Sequence, residues 1–94
     1  MVTELTVKDL MPYDKLIAIN NDGEISIICT RKAYGYWRVF YPNIKKGSPY
    51  HTFHNKELVS LFNNPYSREG IVSLSGVKTS KSGKEKMGIL YERK

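Results

Sequence analysis

Leu16-Ile17-Ala18-Ile19-Asn20-Asn21-Asp22-Gly23-Glu24-Ile25-Ser26-Ile27-Ile28-Cys29-Thr30 consists of two isoleucine-rich runs separated by Asn21-Asp22-Gly23. Branched aliphatic side chains suit a pleated surface, and Asn, Asp and Gly tolerate the positive φ of a tight turn. The stretch therefore predicts a β-hairpin. Alternation puts Ile25, Ile27 and Cys29 on one face of the return strand and Ser26, Ile28 and Thr30 on the other. In the first strand, Ile17 and Ile19 are expected to point inward.

Downstream, residues 34–41 predict a third strand that stops at Pro42. Trp37, Val39 and Tyr41 would share one face, and Tyr34, Tyr36, Arg38 and Phe40 the other. Residues 43–50 contain Lys45-Lys46-Gly47-Ser48-Pro49 and predict an exposed basic loop. Residues 54–63 predict a helix: Leu58, Leu61 and Phe62 recur at i, i+3 and i+4, Asn55 serves as N-cap, Phe53 staples the first turn, and Asn64-Pro65 closes the end. Residues 71–78 and 87–92 predict a last hairpin around a lysine-rich loop at 79–86. Upstream, Thr6 and Asp9 bracket one helical turn that Pro12 ends.

The expected fold is one α+β domain over residues 1–94. It has a small, curled, mostly antiparallel five-stranded sheet with one helix packed on it, and closure into an SH3- or OB-like barrel is the variant. The expected inner layer is Ile17, Ile19, Ile25, Ile27, Cys29, Trp37, Val39, Leu74, Ile89 and Tyr91.

The 94-residue chain carries a net charge of +6, unevenly placed. Residues 1–30 hold two lysines and five acids, whereas residues 31–94 hold thirteen basic and four acidic groups. Such asymmetry points to an anionic partner, either nucleic acid (DNA or RNA) or an anionic protein surface. Eleven lysines against four arginines argue for point-charge contacts to phosphate rather than planar bidentate ones. Met1-Val2-Thr3-Glu4 has no basic, apolar leader pattern, no run approaches a bilayer span, and Cys29 is a lone cysteine, so a cytoplasmic protein without membrane contact is expected.

Catalytic chemistry needs acids, bases or nucleophiles gathered in one place. Here the acids are scattered and Cys29 alternates with core isoleucines, so no enzyme, no cofactor and no small-molecule substrate are expected. His51 and His54 lack the further ligands a metal requires, and a capping or surface role suits them better. The interval from Gly76 to Lys84 has the wrong spacing for a phosphate-cradling glycine loop, and Glu85 stands where Ser or Thr is needed.

Arg31-Lys32-Ala33-Tyr34-Gly35-Tyr36-Trp37-Arg38-Val39-Phe40-Tyr41 interleaves cations with aromatic rings, the pairing that single-strand binders use for phosphates and bases. Lys32, Tyr34 and Gly35 match the RNP1 pattern of RNA-recognition motifs, but the tight hairpin preceding them excludes that fold. Tyr34-Gly35-Tyr36, followed by His51-Thr52-Phe53-His54, resembles the K-G-F-G-F-I strand and aromatic–histidine strand of cold-shock-type barrels. The resemblance covers only these short stretches and implies a barrel that binds single strands.

The expected function is a small non-catalytic basic binding protein that contacts nucleic acid or a nucleoprotein complex. The alternative is a phage or mobile-element protein that binds and inhibits a host protein, for example an anti-CRISPR-type defence inhibitor. The expected contact residues are Arg31, Lys32, Tyr34, Tyr36, Arg38, Phe40, Lys45, Lys46, Lys78, Lys81, Lys84 and Lys86.

Overall fold

The computed structural model describes residues 4–42 and 51–93. Over these residues the chain runs α1 (Val7–Leu10), β1 (Lys15–Ile19), β2 (Ile25–Ala33), β3 (Tyr36–Phe40), β4 (His51–His54), α2 (Asn55–Asn63), α3 (Pro65–Glu69), β5 (Ser73–Thr79) and β6 (Glu85–Glu92). The strands form one antiparallel sheet in the order β4-β3-β2-β1-β5-β6. The α+β class is as expected, with corrections to the strand count, the helix count and the closure. The sheet has six strands instead of five, and it is open, with β4 and β6 at opposite edges, rather than closed into a barrel.

The additional strand is β4, whose four residues pair with β3 from Tyr36↔His54 to Val39↔His51. At four residues the segment is short, and although Thr52 and Phe53 favour strands, it is the ladder with β3 that makes it one. The additional helix is α3. Asn64 Oδ1 accepts the Tyr66 N–H at 2.8 Å and Pro65 occupies the first turn, so the Asn-Pro pair that ends α2 also starts α3.

The first hairpin is held by its own turn. Asn20 Oδ1 accepts the N–H groups of Asp22 and Glu24, each at 2.9 Å, and Gly23 takes φ +81°. At the chain start, the Asp9 carboxylate accepts the Thr6 N–H at 2.7 Å, as the Thr6/Asp9 bracket predicts. The cap of α2 differs from expectation. His54, not Asn55, is the N-cap: its Nδ1 accepts from Lys56 N, and Glu57 reciprocates by accepting the His54 N–H at 2.9 Å. Asn55 is thereby released into the interior, where its Oδ1 accepts the Trp37 Nε1–H at 2.6 Å and its own N–H donates to Gly35 O.

The core lies between one face of the sheet and the helices. Leu16, Ala18, Ile27, Cys29, Trp37, Val39 and Leu74 meet Leu5, Leu10, Leu58, Phe62 and Ile71. Leu61 and Tyr91 pack at its margin. Ile27, Cys29, Trp37, Val39 and Leu74 are thus inside as expected, and four expected core residues are not. Register places Leu16 opposite Cys29 and Ala18 opposite Ile27, so Ile17 and Ile19 point to the other face. A bulge after Ala18 leaves Ile19 opposite Ile25, which is exposed. A second irregularity between Leu74 and Ser75 pairs Ser75 with Ile89 and turns Ile89 outward, where it is 62% exposed.

Tyr13 lies across the inner face where Gly76 and Gly88 stand directly opposite each other. A Cβ on either glycine would overlap the Tyr13 side chain, so the ring covers a notch in the ladder that only glycine leaves open.

Candidate nucleic-acid interface

Because the core occupies one face, the residues of opposite parity form a second face on which no described helix packs. On β3 this face carries Tyr36, Arg38 and Phe40. Their direct partners are His54 and Thr52 on β4 and Thr30 and Ile28 on β2. Tyr36 is 45% exposed, Arg38 is exposed and Phe40 is half-buried. The Tyr36 ring meets His54 edge-on, with centroids 5.1 Å apart, which sets the ring's orientation. Tyr34 is 96% exposed at the tip of the β2–β3 turn, where Gly35 takes φ +79°. The buried Trp37–Asn55 bond and the Asn55-to-Gly35 bond hold this turn to the start of α2.

The registers also sort charge along the strands. Lys15 opposes both Thr30 and Val77, so the β2–β3 turn and the β5–β6 turn lie at the same end of the sheet. That end gathers Lys15, Lys32, Lys78, Lys81, Lys84 and Lys86. Two of its acids, Asp14 and Glu57, are engaged in accepting the Thr79 and His54 N–H groups. The opposite end carries Asp22, Glu24, Glu69 and Glu92 together with the cation Arg93, which donates to Glu69 O. The lysines and Tyr34, distant in sequence, thus share one pole. Strands about 4.8 Å apart put β3 and β6 about 19 Å from each other across that pole.

The last hairpin differs from the expected loop at 79–86. The strands extend further, to Thr79 and from Glu85, so Lys78 and Lys86 are a directly opposed pair within the ladder. Lys78, Ser80, Lys84 and Lys86 line a shallow depression at the tip.

The expected contact residues therefore fall into four places. Tyr36, Arg38 and Phe40 are on the open face, Lys32 and Tyr34 at the turn beside it, and Lys78, Lys81, Lys84 and Lys86 at the second tip. Lys45 and Lys46 lie outside the described residues. Arg31 is turned inward instead. Its guanidinium donates to Tyr13 O at 2.7 Å and Leu10 O at 3.1 Å, capping the carbonyl end of α1, and stacks 4.2 Å from the Trp37 ring centre. Arg68 is used similarly, donating to Phe62 O and lying over Tyr91. His54 and Lys15 join the site without having been expected there. The likeness of His51–His54 to an aromatic–histidine strand was a signal for His54, whereas Lys15 reaches its place through strand register alone.

Cys29 is fully buried, and burial pushes its thiol up to about 12. Burial, followed by the nearby Cys29, also raises the Tyr41 phenol. Among the described residues, no three His, Cys, Asp or Glu side chains come together as metal ligands. No helix among them is long and apolar enough to cross a membrane. No protein-family model, curated protein or solved structure matches the chain.

Proposed function

We propose that the chain is a cytoplasmic, non-catalytic protein that binds single-stranded nucleic acid along the lysine-rich pole and the adjoining open sheet face. The observation that carries this reading is the register that brings Lys32, Tyr34 and Tyr36 to the same end as Lys78, Lys81, Lys84 and Lys86. Lysines would follow the phosphate chain, while Tyr36 and Tyr34 would stack on bases splayed from it. An uncovered face with aromatic side chains suits unpaired bases, because stacking needs an exposed base plane.

The test is oligonucleotide binding over a salt series. Single strands should bind more tightly than duplexes, and Tyr36→Ala should weaken binding by about 1–3 kcal/mol. Lys81→Gln should lower the salt slope by roughly one unit or less with little effect on base preference. Absence of binding at low salt would end this reading. So would binding that survives Tyr36→Ala combined with Arg38→Ala but fails on loss of loop lysines, which would be attraction by net charge alone.

A second reading rests on Met87 and Ile89, which are 69% and 62% exposed on the same open face. They support a protein partner, as in a phage or mobile-element inhibitor of a host protein. That reading requires one stoichiometric protein to be recovered from nuclease-treated host lysate.

A further inference from the structure

We infer that the depression at the β5–β6 tip is a seat for one doubly charged terminal phosphate, the phosphomonoester end of a nucleic-acid strand; the nucleic-acid source of that phosphate rests on the function proposed above. Lys78 and Lys86 stand directly opposite each other, and opposed residues in an antiparallel ladder project to the same face. Lys84 and Ser80 complete the lining of the depression. Like charges directly opposed in a ladder repel, and a counter-charge normally accompanies them. Here none does. Glu85, the carboxylate nearest in sequence, pairs with Thr79 and has the opposite parity, so it projects to the other face. Asp14 accepts from the Thr79 N–H at 3.1 Å, and no described carboxylate pairs with Lys78, Lys84 or Lys86.

The tip is also a defined frame. Ser80 N donates to Lys84 O at 2.7 Å, Gly83 N to Ser80 O at 2.9 Å, and Lys84 N to Ser80 Oγ at 3.2 Å, while Gly83 takes φ +86°. Lysine stems can lie along such a depression while their ammonium groups stay in water. Ammonium groups are compact charges with rotatable donors, which suits a tetrahedral oxyanion approached from several sides. An internal phosphodiester carries one negative charge and would leave three lysines under-compensated. A terminal phosphate carries nearly two at neutral pH and offers three acceptor oxygens.

The experiment compares one single-stranded oligonucleotide with and without a terminal phosphate, placed in turn at each end, at fixed ionic strength. In parallel, inorganic phosphate is titrated while the lysine side chains and the amides of Thr79–Glu85 are followed by NMR. The expected result is about tenfold tighter binding of a phosphorylated strand, with the gain lost in Lys84→Gln and Lys86→Gln. Inorganic phosphate should give saturable shifts confined to the tip. Equal affinity of phosphorylated and unphosphorylated strands overturns the seat for strand ends and leaves the wider interface standing. Phosphate shifts spread evenly over the tip and the exposed Lys8 and Lys56 overturn it outright. Saturation at the tip without binding of any oligonucleotide upholds the seat and refutes the proposed function.

Discussion

Asn55→Ala should destabilise the protein well beyond what loss of an ordinary surface amide would cause. Asn55 is the buried polar residue among the described residues, and its Oδ1 receives the Trp37 indole N–H at 2.6 Å. Trp37 is fully buried, so truncation at Asn55 leaves that donor without water or a substitute acceptor. An orphaned buried donor costs about 1–3 kcal/mol, and the vacated amide adds a small cavity cost, so about 2–4 kcal/mol is expected in all. In a domain of this size each kcal/mol moves the melting midpoint by about 4–8 °C. Chemical denaturation followed by fluorescence reads the change directly, because Trp37 is the one tryptophan of the chain. A double-mutant cycle isolates the bond, followed by circular dichroism because Trp37→Phe removes both the fluorophore and the donor: Asn55→Ala should cost about 1–2 kcal/mol less in that background. Additivity within about 0.5 kcal/mol would refute the account of Asn55 as partner to the indole. The main-chain bond from residue 55 to Gly35 O survives this substitution, so the loss is read as stability rather than as release of the turn that carries Tyr34.

Two further outcomes follow from the interior. Gly88→Ala should force Tyr13 off its notch and cost about 1–3 kcal/mol, and Tyr13→Ala in the same chain should relieve part of that cost; independent effects in a thermal-melt cycle would contradict the contact. Cys29 ionises later in the folded chain, near 12, than its ordinary 9.0, so the unfolded chain loses the proton first. Stability from this group is therefore complete below pH 9 and falls as pH rises toward 12, by about 1.4 kcal/mol per pH unit. Cys29→Val should show a shallower alkaline loss in urea titrations, and rapid labelling of native Cys29 by a thiol reagent would place it at the surface instead.

Where a residue's partners lie within a few positions, the sequence was sufficient. Asn20 to Gly23 satisfy their own turn, Thr6 and Asp9 bond each other, and Leu58 and Phe62 share a face because helical periodicity is local. The aromatic-basic strand was legible for the same reason. Alternation alone separates Trp37 and Val39 from Tyr36, Arg38 and Phe40, and Trp37 and Val39 are large apolar anchors for the inner side. Leu16-Ile17-Ala18-Ile19 gave no such contrast. It is apolar on both faces, so local pattern could not say whether Leu16 and Ala18 or Ile17 and Ile19 face the core, and the choice fell to its two neighbouring strands. Ile89 was misplaced because a bulge shifts parity, and bulges are set by the fit between strands. Arg31 shares the parity of Ile27 and Cys29, which points it inward, but the Leu10 and Tyr13 carbonyls that receive it lie 21 and 18 positions away. The gathering of the lysines at one pole had no local signature either. Composition determined that the chain is basic; strand order and register, which join residues tens of positions apart, decided where that charge is concentrated.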